Sequence, residues 1–523
     1  MVRQLLAFGR PPMNQSRSAL QTAVVTASRL RVELLVILLC GVLALATGMR
    51  EAPLVDWDEA TYAEVAHEAV ASRNYLHFTW NGDAYLKKPP LLFWMMIGSF
   101  RCFGESPWAA RLPSVLAGLG TLLLLYFMAA EIGRLAGVFA GLLPLGFYLF
   151  VLRGGRECAT DGPLVFFNTL AVFALMRSRA DRRWLGLVGL AIGLAVLSKG
   201  LAGLVPLGLT FAALLLVPDF ANIGLGGALM VAAVMTAVIL PWLWFEITTN
   251  PRLFWDVFVK QESLMRIASH IEDHRDRTAA TLPTFLREIR FLWVVLLPLA
   301  GLIGSQVTRH SLGRFLRRLP SPVILWTIWM VLELAVACAV RTKLSWYVLP
   351  ALPPVALLCG SILGVALTRR SGEYYVRELG MVAVALLVIE MPAHWRAINE
   401  AFAAERDRSR PAYDLGVRAR ALGAAHGDRE LVFVGNELPT LVYYSGMRAH
   451  FVAFPWPEFP DLANSQVVLR EPDGALANVG NLAAEWSVDG PRDERVPISG
   501  NEAVCRGGPW KPIPNDLEIS LAR

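Results

Sequence analysis

Paired cysteines are missing from this 523-residue sequence. Its six cysteines (Cys40, Cys102, Cys158, Cys338, Cys359 and Cys505) are scattered, with no C-x-x-C pair and no zinc spacing. That excludes a disulfide scaffold and a Cys-rich metal protein. Charge is scarce too: Asp, Glu, Lys and Arg make up 18% of the chain, against roughly a quarter in ordinary soluble domains. There are no long Gln, Ser or Gly tracts, so a mostly disordered chain is excluded. No internal repeat is evident, which counts against a transporter built from repeated halves. What the chain has is apolar residues, 55% of the total, with a mean hydropathy of +0.46. The net charge is +6, but the basic residues cluster between apolar runs. That arrangement points to a polytopic membrane protein rather than to a nucleic-acid partner.

A membrane-crossing helix needs about 20 mainly apolar residues. Candidate spans lie near 32–49, 107–130, 135–152, 161–176, 184–198, 200–217, 223–245, 290–308, 322–340, 344–367 and 378–393. This gives eleven spans, with thirteen as the upper count. The amino terminus carries Arg3, Arg10, Arg17, Arg29 and Arg31 and lacks a small-residue cleavage site. It reads as the basic cytoplasmic tail (1–31) of a signal anchor. The loops 177–183, 309–318 and 369–370 carry four, four and two arginines. All ten face the cytoplasm only if the short apolar segment 89–104 lies in the interface instead of crossing. The regions 50–106, 153–160, 246–289 and 341–347 then face the periplasm. The expected organisation is a transmembrane catalytic domain over 32–393, with periplasmic loops at 50–106 and 246–289. A small periplasmic α/β domain follows over 394–523, where charges, Pro and Gly return. That last stretch has neither G-x-G-x-x-G nor a P-loop, so no nucleotide site is expected there.

The outer regions hold the polar constellation. Asp56, Asp58 and Glu59 follow the first span, and "TYAEVAHEAVAS" reads as a helix opened by a Thr61–Glu64 capping box. Each carboxylate alone also fits a helix amino terminus. Lys87 and Lys88 precede Pro89 and Pro90, which fix an extended turn; the lysines would snorkel or meet an anionic headgroup. Asp161 opens a span, as an N-cap or as a second outer acid. Arg266 lies in the large loop with His270 and His274, an i,i+4 pair without H-E-x-x-H. Arg341, Lys343 and Tyr347 stand at another boundary, and Lys199 lies between two apolar arms. Glu333 is mid-span, where a carboxylate is costly. Outer carboxylates that orient or deprotonate an attacking group, with cations that stabilise a departing phosphate, suit displacement at a carbon bonded to a lipid-linked phosphate.

The stretch "DEATYAEVAHEAVAS…NGDAYLKKPPLLFW" resembles the first outer loop of bacterial aminoarabinose (L-Ara4N) lipid A transferases and, more distantly, of protein O-mannosyltransferases. Both belong to the GT-C glycosyltransferases. The resemblance continues through "ARLPSVLAGLGTLLLLY", "DGPLVFF", "LSKGLAGLVPL", "NPRLFWDVFVKQESLMRI" and "RTKLSWYVLPALPP", most of residues 50–360. It implies a GT-C fold and a catalytic carboxylate at Asp58 with Glu59 beside it. It also implies a second acid at Asp161 and lipid-phosphate contacts from Tyr85, Lys88, Arg266 and Tyr347. The expected reaction is inverting transfer of aminoarabinose or a related sugar from undecaprenyl phosphate to lipid A, at the periplasmic face of the inner membrane. A protein, polysaccharide or other lipid acceptor is the alternative within this chemistry, and a lipid-linked-sugar flippase the alternative outside it. Two departures stand out. Relatives usually carry Arg where this chain has Thr61, and often carry Glu, linked to metal binding, where it has Lys87. The sugar and any divalent metal therefore stay open.

Overall fold

The computed structural model describes residues 16–50, 52–269, 281–293, 319–368, 374–426, 430–434, 439–452, 466–470 and 476–481. His270, His274, the loop 309–318 and Arg369–Arg370 lie outside the described residues. The chain divides into two compact units. One comprises Met1–Arg50, Arg73–Phe78 and Tyr85–Phe402, the other Glu51–Ser72, Thr79–Ala84 and Ala403–Arg523.

The first unit is helical. Among the described residues six helical runs are long and apolar enough to cross a membrane: Pro107–Ala129, Trp184–Leu216, Gly224–Thr249, Ser321–Ala339, Ser345–Thr368 and Arg377–Ala421. A seventh is counted if Arg134–Gly146 and Tyr148–Arg156, bent by 83° at their junction, form one span. This is fewer than the eleven expected from sequence for several reasons, one being that the first expected run contributes only the shorter apolar helix Val32–Ala46. The runs 184–198 and 200–217 are continuous in composition, and the helix at Asp161–Arg177 has only 17 residues. Residues 294–308 lie outside the description. The run Trp184–Leu216 is broken at Gly200, whose φ of +60° ends the helix Trp184–Lys199. A Cβ on Gly203 would collide with Val196 N and the Ala195 carbonyl. The 3-10 turn Gly200–Leu204 therefore packs tightly against the end of that helix before the next begins at Val205.

Small residues let these helices approach closely, as they do where lipid removes the hydrophobic drive between helices. Gly360 and Gly364 of Leu352–Thr368 sit against Ala140 and Ala136 of Arg134–Leu142. Gly189 and Gly193 of Trp184–Lys199 sit against Val231, Val234 and Val238 of Gly224–Thr249. Inside this packing Trp326 and Trp329 are fully buried. Glu333, without a partner in the sequence reading, accepts from Trp329 Nε1 at 3.0 Å and Asn168 Nδ2 at 3.3 Å. The segment 89–104 forms a 13-residue helix, Leu91–Phe103, entered from Pro90 and closed at Gly104 (φ +79°).

The second unit contains the helix Asp58–Ser72, a two-stranded turn (Thr79–Trp80 with Asp83–Ala84) and the helix Pro439–Ser445. Its four-stranded sheet runs Ala449–Val452, Glu430–Val434, Gln466–Arg470, Leu476–Asn481. The first two strands are parallel and the other pairings antiparallel, with an irregularity between Val467 and Val468. This unit recruits part of the first polar loop. Asp56 accepts from Thr440 N at 3.0 Å, Leu54 N donates to Tyr444 Oη at 2.8 Å, and Asn81 exchanges two hydrogen bonds with the Ala449 backbone. Position 394, the expected domain start, falls inside one long helix, Tyr374–His426.

Candidate functional site

Two stretches of π-helix, Leu152–Arg156 and Phe254–Met265, carry or adjoin much of the polar cluster in the first unit. Such wide turns are rare and recur at functional positions. The second presents Glu262, and Arg266 follows one turn later. Glu262 accepts from Lys88 Nζ at 2.8 Å and from Arg266 Nη2 at 3.0 Å. Burial alone would raise the Glu262 carboxyl, but Lys88 and Arg266 outweigh it and hold it below the ordinary range. The pair Pro89–Pro90 leads directly into the helix Leu91–Phe103 and so fixes where the Lys88 backbone stands. Lys87 is exposed, whereas Lys88 is half-buried.

Arg266 is held from a second direction. Thr342 N donates to the Arg266 carbonyl and Arg341 N to the Ile267 carbonyl, each at 3.2 Å. This backbone pairing brings the turn Ser345–Ala351 against it, where the Tyr347 hydroxyl shares a hydrogen bond with Arg266. The ring of Tyr347 also meets Lys199, whose Nζ lies 5.5 Å from the ring centroid. Lys199 in turn pairs with Asp161, and Asp161 accepts from Arg153 Nε at 3.2 Å. Arg153 also holds Glu157 at 3.0 Å and lies 4.4 Å from the centroid of Trp346. The helix polarity favours both ends of the central pair, since Lys199 closes one helix and Asp161 opens another.

The result is one connected network: Lys88, Glu262, Arg266, Tyr347, Lys199, Asp161, Arg153 and Glu157. Four cations face three carboxylates. Asp161 is 1% exposed, while the side chains of Lys88, Lys199 and Arg266 retain 19%, 17% and 14%. Cations that outnumber their carboxylates in a largely buried site can accept an added anion by charge-assisted hydrogen bonds.

Of the residues singled out from sequence, Lys88, Arg266, Tyr347 and Asp161 meet here. Tyr85 is buried nearby in sequence, with its ring edge-on to Phe93 at 5.9 Å. Lys343 does not join them: it caps the helix Ser321–Ala339 by donating to the Ala337 and Cys338 carbonyls at 3.1 and 2.7 Å. Burial lowers the pKa of its ammonium. Sequence reasoning missed Glu262, Arg153 and Glu157 and read Lys199 as snorkelling or structural. The i,i+4 spacings of Glu262 with Arg266 and of Arg153 with Glu157 were the visible signals.

Asp58 and Glu59 belong to the second unit. The helix starts at Asp58, one turn before the expected Thr61–Glu64 box, with Thr61 N already donating to the Trp57 carbonyl at 2.9 Å. The reason is local. Glu59 Oε2 accepts from Val55 N at 3.0 Å, and Trp57 adopts φ +70°, turning the chain into the helix. Asp58 Oδ1 accepts from Tyr62 Oη at 2.9 Å. A non-glycine residue in the left-handed region immediately before Asp58 stores backbone strain. Among the described residues no group of three or more His, Cys, Asp or Glu side chains gathers to hold a metal.

The sequence pattern of the family described as "Dolichyl-phosphate-mannose-protein mannosyltransferase" matches residues 87–245. A protein of Pseudomonas aeruginosa named "Undecaprenyl phosphate-alpha-4-amino-4-deoxy-L-arabinose arabinosyl transferase" is 29% identical over 345 residues, covering 64% of this chain and 60% of its own length. A protein of Sodalis glossinidius with the same name, numbered 1, is 31% identical over 314 residues, covering 58% and 53%. The chain thus spans about 60% of the length of the first of these relatives. Among solved structures, ArnT from Cupriavidus metallidurans bound to undecaprenyl phosphate matches with a TM-score of 0.62 at 20% identity, covering 81% of this chain and 86% of that one. That match shows a shared fold. The chain resembles the aminoarabinose-transferase and protein O-mannosyltransferase group of GT-C glycosyltransferases.

Proposed function

We propose that this chain is an inverting glycosyltransferase of the bacterial inner membrane that takes its sugar from undecaprenyl phosphate. The observation that carries the reading is the network joining Lys88, Arg266, Tyr347 and Lys199. Displacement at the anomeric carbon leaves a lipid phosphate whose negative charge grows as the bond breaks, and preorganised cations stabilise that growth. In the resting network each cation leans on a carboxylate, so an arriving phosphate shares cations already fixed in position. Asp161 and Glu262 position the cations; the cations act on the phosphate.

The attacking group is served by Asp58, with Glu59 holding the turn beside it. A hydroxyl acceptor needs Asp58 as general base. A lipid A phosphate is already anionic, and Asp58 then orients it or the sugar. The names of the relatives support aminoarabinose as the sugar and undecaprenyl phosphate as the carrier. The loop arginines support an active face and a tail unit on the periplasmic side, with the helix Leu91–Phe103 along the interface. Transfer to a protein, polysaccharide or other lipid uses the same chemistry. Mass spectrometry of lipid A, glycan and protein fractions from cells with and without the chain tests the reading: one fraction gains a sugar mass only when the chain is present. No sugar gain in any fraction would contradict it.

A further inference from the structure

Burial on the helix Thr281–Ile289 is arranged the opposite way from a helix surrounded by water. Its protein-facing side carries Thr281, Thr284, Phe285 and Glu288, all buried and mostly polar. Thr281 Oγ1 donates to the Ala337 carbonyl at 3.4 Å, and Glu288 Oε2 accepts from Leu149 N at 2.9 Å. Phe291 and Leu292, in the 3-10 turn that follows, are buried too. The Phe291 ring meets Phe147 and His394, each at 5.5 Å. These contacts hold the helix by that side and fix which side looks outward.

The outward side is apolar and basic. Leu282 and Leu286 stand one turn apart, each 54% exposed, and Trp293 beyond them is 49% exposed. Arg287 and Arg290, three residues apart and so neighbours along one line, are exposed beside the leucines. Both act on the buried Glu288 carboxyl through space, and Arg290 acts on His394, which Glu390 also faces. Neither arginine has an ion pair or hydrogen bond among the described residues. In sequence, the apolar run over 290–308 starts at this point, so the pair stands at a span boundary.

A strip of leucine and tryptophan bordered by cations suits a helix lying at a membrane boundary, with the apolar groups at acyl depth and the arginines among headgroups. A second copy of this chain is a poor occupant: a two-fold contact through this face would set its arginines against their own copies. Guanidinium forks match phosphate oxygens. Without a carboxylate of their own, these two favour a headgroup with net negative charge over one whose phosphate is neutralised by choline.

We infer that the outward side of residues 281–293 is a contact surface for anionic phospholipid headgroups of the surrounding bilayer, with Arg287 and Arg290 as the groups that hold them. This adds a lipid partner outside the donor site, and neither the sugar nor the acceptor enters it.

The test uses the full chain with its native cysteines replaced, in nanodiscs, carrying a small fluorophore at Leu286→Cys. Brominated phosphatidylglycerol and brominated phosphatidylcholine are compared as quenchers. The anionic lipid should quench as if enriched roughly tenfold over the zwitterionic one. Val331→Cys, exposed in the middle of the helix Ser321–Ala339, should be quenched equally by both. Arg287→Gln combined with Arg290→Gln should bring the Leu286 ratio to about one while both lipids still quench, and high salt should shrink the ratio in the parent. Equal quenching at Leu286 in the parent, or a preference that persists in the double variant, would overturn the inference. So would quenching by neither lipid, since a second copy or another partner would then cover the face. If the double variant does not fold, a preference untouched by high salt would overturn it.

Discussion

Lys88 Nζ lies 2.8 Å from Glu262 Oε2, joining a proline-fixed turn to a π-helix across 174 residues of sequence. Arg266 grips the same carboxylate from one turn away, at 3.0 Å. Glu262 thereby sets the spacing of two cations that a lipid phosphate would share.

Lys88→Ala should lower turnover about a hundredfold or more, by analogy with a lost oxyanion donor worth about 2.7–4 kcal/mol. Arg266→Ala should do the same. Lys87→Ala should have little effect, since Lys87 is exposed. Steady-state turnover and undecaprenyl phosphate binding for the three variants check this. An essential Lys87 with a dispensable Lys88 would move the phosphate contact by one residue.

Asp161 is 1% exposed and answers both Lys199 and Arg153. Removing one member of a buried ion pair leaves the other uncompensated, at about 3–5 kcal/mol. Asp161→Ala should therefore lose stability by that order, whereas Lys199→Gln should lose turnover more than stability. Thermal unfolding in detergent together with donor turnover separates the two effects. An Asp161→Ala protein as stable as wild type would show that the ion pair does not hold this corner together.

Asp58→Asn should abolish transfer while the protein stays folded. The amide still accepts from Tyr62, 2.9 Å away in the parent structure, but it cannot act as a base near neutral pH. Near-normal turnover in this variant would leave Asp58 with only its helix-terminal role.

Burial raises Glu288 to about 6, although the Leu149 N–H partly offsets it. The folded state then holds this proton more tightly than the unfolded chain does. The group's stabilising contribution is complete below pH 4.5 and is lost as pH rises toward 6, a swing of about 2 kcal/mol. Glu288→Gln should flatten that part of the unfolding profile. An unchanged slope between pH 4.5 and 6 would contradict the assignment.

Sidedness is open to cysteine labelling. Thr440 is fully buried against Leu54 and Asp56, so it is a poor reporter, whereas Arg448 is exposed. Arg448→Cys, in a chain whose native cysteines, Cys505 included, are replaced, should react with an impermeant reagent from the periplasmic side. Reaction only from the cytoplasm would invert the topology.

Which residues gather was legible where a local pattern reported it. Lys88 stood out because two prolines fix it, Tyr347 because it sits at the boundary of an apolar run, and Arg266 through the resemblance carried by "NPRLFWDVFVKQESLMRI". Glu262 was not legible, since an acid four residues before an arginine reads as an ordinary surface pair. Lys199 gave no local sign of its partner, because Asp161 lies 38 residues earlier and meets it only through helix packing. The same holds for Glu333 and Asn168, 165 residues apart. Among the described residues fewer helices reach crossing length than the apolar runs suggest, because hydropathy reveals neither the 83° bend after Gly146 nor the 17-residue length of Asp161–Arg177. The start of the helix at Asp58 was missed by one turn because φ +70° at Trp57 has no signature in residue type.

The most direct test of the account is turnover by the purified protein, reconstituted with an undecaprenyl-phosphate-linked amino sugar and lipid A. The account predicts free undecaprenyl phosphate released in equal amount to glycosylated acceptor, with both lost in Lys88→Ala and in Asp58→Asn. Donor that remains intact, or is merely moved from one leaflet to the other, would contradict it.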